Sequence, residues 1–233
     1  MDFREYSASS NDNNNADNIE QHDDYFSVGE LARQGQDKER GVHASTDIAQ
    51  DTLLISVPRR CILTTDMGRS LPLAKKIEIS EEQLYAPKHI YLVLYILWDI
   101  KTHGSGSFYN PYYDILPKSF PHIPIYWSPE ELTYLEGSFL LVEITRRKRA
   151  LWEDYCIVSH IAKEQGEAWF DGITLAEFQW ARMVIMSRNF GFVDGTQARI
   201  SAMVPQADML NHQRPPEVKW KYNVEQDAFV VTA

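Results

Sequence analysis

Asp208, Asn211 and His212 fall within five residues of one another in the stretch VPQADMLNH. A carboxylate, an amide and an imidazole at that spacing suit three kinds of chemistry. As a metal site they need further ligands of matching type, and the nearest, Glu217 and Asp227, lie beyond segments that read as strands. As part of a hydrolase they need a nucleophile elbow of the G-x-S-x-G kind or a reactive cysteine beside the histidine, and the chain has neither. As plain structure, Asn211 and His212 would make turn and core hydrogen bonds in a buried loop, which taken alone is the simplest account.

The elements around the stretch decide how it can be held. GVHAS, DTLLISVP and RRCILTT are short runs rich in β-formers and bounded by turn residues, and they predict strands of a small sheet, with Pro58 ending one. A helical region follows. Its expected parts are a buried helix over Pro87 to Lys101, a short one from Pro129 to Leu135 capped by Ser128, and a long one over Phe139 to Glu164. A further helix opens at Thr174 with Glu177 three residues on, the signature of a capping box, and should run to about Ser187. ARISAMVPQAD, EVKWKYN and DAFVVTA then return to strands and connections. Strands, helices and strands again predict an α+β chain in which a helical insert interrupts a β region. The expected boundaries are a disordered, Asn- and Asp-rich tail over 1–23, an N-terminal β part over 24–66, the insert over 67–186 and a C-terminal β part over 187–233.

Composition narrows the function. The 233 residues are 44% hydrophobic, and no run approaches the ~18 apolar residues of a membrane span, so no membrane partner is expected. A formal charge of -10 argues against direct nucleic-acid binding. Cys61 and Cys156 form neither a disulfide framework nor a zinc pattern, and no signal peptide opens the chain, which points to the cytoplasm or nucleus. Tyr112 and Trp127 read as packing residues, and Arg146 to Arg149 as a solvated helix face.

Five stretches in order give the reading its direction. DMLNH resembles the D-x-x-N-H motif of SET-domain methyltransferases, in the branch that includes the Rubisco large-subunit and actin-histidine methyltransferases. ERGVHASTDIAQDTLLISVPRRCILTT looks like that branch's opening glycine-containing segment and following V-P strand, and SFYNPYYDILP is similar to its S-F-W-x-P-Y signature. SPEELTYLEGSFL and EFQWARMVIMSRNF resemble its E-E-L piece and its S-R-x-F helix. The resemblance implies a SET-domain β-fold, S-adenosylmethionine as cofactor, and methyl transfer to a lysine, or in one member a histidine, of a protein substrate. It leaves the oligomeric state open.

Residue by residue, the resemblance implies that Asn211 holds the cofactor, that the His212 main chain pairs with adenine, and that Arg188 contacts the cofactor's polar end. Asp208 would accept from the cofactor's amine or orient the loop. Lys38, Glu39 and Arg40 stand where the family offers main-chain atoms; Glu39 replaces the usual first glycine, so only backbone contacts carry over. The family's catalytic tyrosine is expected past Ala233, together with the segment that completes the pseudoknot, so the chain reads as incomplete at its C-terminus and its catalytic residue as unknown. Within the chain, another residue would have to fill that tyrosine's place, and Tyr222 is one candidate. The cofactor loop is then expected to lie uncovered, with Met203, Val204, Met209 and Leu210 facing water. A noncatalytic SET-like interaction module is the alternative function.

Overall fold

The structure is a computed structural model, and it describes residues 26–31, 39–85, 87–196 and 199–233. The acidic tail over 1–23 and Lys38 lie outside the described residues. The chain divides into two compact units, one made of the residues through Leu63 with Arg188–Ala233, the other of Thr64–Ser187.

The first unit is built from strands. β1 (Phe26–Leu31) and β2 (Glu39–Ala44) form an antiparallel pair. β3 (Leu53–Pro58) runs antiparallel to the C-terminal strand β8 (Ala228–Thr232), with Val57 opposite Phe229 and Ile55 opposite Val231. β8 is the middle strand of its sheet, which explains why AFVV is buried throughout, and β7 (Lys219–Asn223) is its edge. Lys219 and Lys221 on that edge are exposed, the charged side chains that discourage pairing with another chain. The third sheet has the order β4 (Leu63–Thr64), β6 (Arg199–Met203), β5 (Asn189–Val193). One core joins the last two sheets: Val57, Ala202, Val204 and Phe229 are fully buried within it, and Phe192 stacks on Tyr222 at 5.3 Å. Each large apolar side chain so removed from water contributes roughly 1.5–3 kcal/mol.

The second unit is helical. Its elements are α1 (Thr65–Arg69), α2 (Pro72–Ile79), α3 (Pro87–His103), α4 (Asn110–Ile115), α5 (Pro129–Leu132), α6 (Phe139–Glu164) and α7 (Leu175–Arg188), whose last residue already belongs to the sheet unit. Both capped starts expected from the sequence are formed. The Glu131 amide donates to Ser128 Oγ at 3.2 Å, and the Glu177 amide to Thr174 Oγ1 at 3.2 Å while its carboxylate accepts from the Thr174 amide at 2.7 Å. α1 and α3 cross so closely that a Cβ on Gly68 would sit 1.8 Å from the Tyr91 carbonyl oxygen. Tyr112 is buried, and half-buried Trp127 donates to the Pro121 carbonyl.

Several expectations need correction. RRCILTT is not one strand: Arg59–Cys61 is a 3-10 turn, only Leu63–Thr64 is extended, and Thr64 then caps α1. The run Pro129 to Leu135 splits into α5 and a 3-10 turn over Thr133–Leu135. The strand β5 was not foreseen, because its residues follow α7 with no turn former between them. The expected exposure of Met203 and Val204 is also wrong: both are fully buried, and Met209 and Leu210 half-buried. Met203 ends the central strand β6 and Val204 enters the core beside Leu54 and Ala207, so the sheets themselves cover them.

Candidate functional site

The register of the β5–β6 pair positions the site. Asn189 opposes Met203, so Arg188, the residue just before β5, reaches the point where the chain leaves β6. Ser201 donates from its hydroxyl to the Asn189 side chain and ties the two strands there. Past Val204 the chain turns tightly. The Asp208 amide donates to the Val204 carbonyl at 3.1 Å and the Met209 amide to the Gln206 carbonyl at 3.0 Å, forming a 3-10 turn over Ala207–Met209.

That turn delivers Asp208 to Arg188. Arg188 Nη1 donates to Asp208 Oδ2 at 3.0 Å and to the Asp208 carbonyl oxygen at 3.2 Å, so one nitrogen grips both side chain and backbone. It also approaches Met209 Sδ at 3.6 Å, a contact that nothing in the sequence pointed to. The Asp208 side chain is 0% exposed and that of Arg188 17%. A charge pair so enclosed must be well made, since breaking one buried partner away costs several kcal/mol. Arg188 Nε is buried and has no hydrogen-bond partner. The guanidinium is a fork built for a planar bidentate acceptor such as a carboxylate, and here one donor of that fork is unused.

Beyond the turn the segment changes character. Leu210 and Val218 pack against the core, and the residues between them are exposed, Asn211 and His212 included. Asn211 and His212 are on the surface, in line with an uncovered cofactor loop and not with a buried turn, because the core holds only the two ends of the segment. His212 Nε2 accepts from Arg214 Nε at 3.3 Å. β2, which begins with Glu39 and Arg40, lies against the Ala207–Met209 turn, so three separate parts of the sequence meet there, the end of α7, the exit of β6 and β2, and Asn211 and His212 follow that turn along the chain. Tyr222 does not join them. Its hydroxyl donates to Asp227 Oδ1, and burial together with that carboxylate pushes its pKa upward. No group of three or more metal-ligating side chains occurs among the described residues.

No family model matches the chain. Actin-histidine N-methyltransferases from Callithrix jacchus and Homo sapiens are 24% and 23% identical to it over 192 residues, which is 80% of this chain and 31–32% of theirs. The chain thus spans about a third of the length of these curated relatives. Among solved structures, the SET domain of LSMT bound to lysine and AdoHcy aligns over 92% of this chain and 47% of that one, with a TM-score of 0.70 and 20% identity. Rubisco LSMT bound to AdoMet aligns over 92% and 46%, with a TM-score of 0.69 and 22% identity. The α+β architecture is that of a SET domain.

Proposed function

We propose that this chain, folded as a SET domain, is the S-adenosylmethionine-binding part of a protein methyltransferase that moves a methyl group to a lysine, or alternatively a histidine, of a protein substrate. The observation that carries the reading is the Arg188 clamp. Nη1 is committed to Asp208 while Nε, buried beside it, has no acceptor. An amino-acid carboxylate is the kind of group that would complete such a guanidinium, and S-adenosylmethionine carries one. In this reading Asp208 orients Arg188, exposed Asn211 offers its amide to the cofactor, and the main chains of His212, Glu39 and Arg40 complete the wall. The bound cofactor supplies a methyl group made electrophilic by its sulfonium. What the protein adds is alignment: an acceptor nitrogen held in line with that methyl, in surroundings that favour the uncharged amine, needs little further reorganisation. Similarity to relatives named for methyl transfer to actin histidine and to neighbours solved with lysine supports both acceptors. We place the protein in the cytoplasm or nucleus, where the free thiols of Cys61 and Cys156 would stay reduced.

The test is calorimetric titration of S-adenosylmethionine into the 233-residue protein, followed by transfer of radiolabelled methyl to a protein extract. Saturable binding that Arg188→Lys weakens supports the reading; a wild-type protein that takes up no cofactor refutes it. The commitment of Tyr222 to Asp227 favours a second reading for this chain by itself, a SET-like interaction module, and binding without transfer would select it.

A further inference from the structure

Gln206 holds a backbone conformation that its side chain does not favour. Its φ of 69° and ψ of -48° lie in the region of the strained γ-turn, outside the left-handed helical well that Asn and Asp tolerate. The other described non-glycine residues with positive φ are both aspartates, Asp51 and Asp227, residues suited to such a position. Gln206 has no such excuse in its chemistry. Such a conformation persists only where the surroundings over-determine it. They do so here: Met203, Val204 and Pro205 before it and Ala207 after it are buried, and its own carbonyl accepts the Met209 amide. Without a change of direction at that point the chain would continue along β6. With it, Asp208 turns back onto Arg188 and the exposed Asn211–His212 segment leaves the turn that β2 lies against.

We infer that Gln206 is a positioning residue of the cofactor site: its strained backbone sets the aim of the Asp208–His212 segment, and it does so through main-chain conformation, not through its amide. The inference rests on the cofactor reading above. It separates stability from binding in a way that ordinary packing does not. Glycine at 206 relieves the strain, since no Cβ opposes a positive φ, but it also lets the turn sample other directions. Alanine keeps the Cβ and hence the constraint.

The experiment compares Gln206→Gly and Gln206→Ala with the wild-type chain by thermal melting, S-adenosylmethionine titration and amide hydrogen exchange. Gln206→Gly is expected to melt no lower than wild type, to bind roughly tenfold more weakly, and to exchange the Asp208, Met209 and Leu210 amides faster by a similar factor. Gln206→Ala should lose far less affinity. If glycine leaves both affinity and exchange unchanged, the inference falls while the cofactor reading stands. Equal losses in the two variants would overturn it by assigning the role to the side-chain amide. A wild-type chain that binds no cofactor would remove the cofactor reading and this inference with it, even where exchange at the turn responded to glycine.

Discussion

Asp99 and Asp208 are both nearly or wholly closed off from water, and they are partnered in opposite ways. In the helical unit Asp99 accepts from Ser107 Oγ at 2.5 Å and Tyr113 Oη at 2.8 Å on one oxygen and meets His103 Nδ1 at 2.7 Å on the other. Those donors come from the end of α3, the loop behind it and α4, so the carboxylate staples three consecutive pieces together. Each bond ends on a group of the same unit, and the phenol of Tyr113 is held neutral by burial and by the carboxylate it faces. In the sheet unit Asp208 meets Arg188, and that arginine keeps a buried donor without an acceptor. Polar networks that only hold a fold tend to be closed. The second network is open on its arginine side, which is what a ligand site requires. Arg182 shows that a buried guanidinium donor without a hydrogen bond does not suffice: its Nη1 also lacks a hydrogen-bond partner, yet it sits 3.6 Å from Asp154 Oδ2, so its charge is met inside the helical unit.

Substitutions can break this contrast. Arg188→Ala should have the largest effect, lowering stability by ~3–5 kcal/mol because it removes the guanidinium that faces the buried Asp208 carboxylate, and abolishing cofactor uptake. Chemical denaturation and calorimetry on the same sample would read both. A stability loss below 1 kcal/mol would mean that water reaches Asp208 and the network is not closed on that side. Asp99→Ala should cost ~2–4 kcal/mol by leaving the Ser107 and Tyr113 hydroxyls without their acceptor. A protein that then remained folded should still bind S-adenosylmethionine with an affinity near that of wild type, and a parallel loss of binding would dissolve the distinction between the closed and open networks. Asn211→Ala should lie below both. Its amide is exposed, so stability should hold within about 0.5 kcal/mol while affinity falls by ~1–3 kcal/mol, tenfold or more, in a titration.

The two regions were also unequally legible. Helix starts in the insert could be read from local chemistry, since a cap needs only residues three apart: Thr174 with Glu177 and Ser128 before Pro129 declared themselves. The long helix over Phe139–Glu164 was recognisable by its apolar spacing. In the sheet unit the pairings join residues far apart in sequence. Nothing in AFVVT says that β3, some 170 positions earlier, lies beside it, and the junction of Arg188 with β5 carries no turn former to mark it. Of the site, Asp208, Asn211 and His212 stand out in the sequence as a cluster and Arg188 through its place in a motif, but the meeting of Arg188 with Asp208 depends on the β5–β6 register and on a strained turn at Gln206. Propensity works against that turn, so no sequence rule could have proposed it. Likewise nothing local in the sequence shows that Met203 and Val204 are covered, because the covering sheet is non-local.

The smallest expected effect concerns the capping box itself. Glu177 reaches back to the Thr174 amide and also pairs with Lys101 Nζ at 2.8 Å. The lysine, and then the Thr174 bonds, hold its carboxyl below the usual carboxylate range. A group whose folded pKa is depressed contributes stability that is present above its unfolded pKa and lost as pH falls through the folded one. Glu177→Gln should therefore destabilise the chain near neutral pH and matter progressively less as the solution is acidified through the carboxylate range. Because the side chain is 38% exposed, solvent screens the ion pair, and the difference should be only ~0.5–1 kcal/mol, most of it from the cap. Denaturation midpoints of the two proteins across an acid titration would measure it. A gap that persisted unchanged in acid would show that glutamine loses shape at the cap, not charge, and the helix start would then belong with the closed, purely geometric network around Asp99.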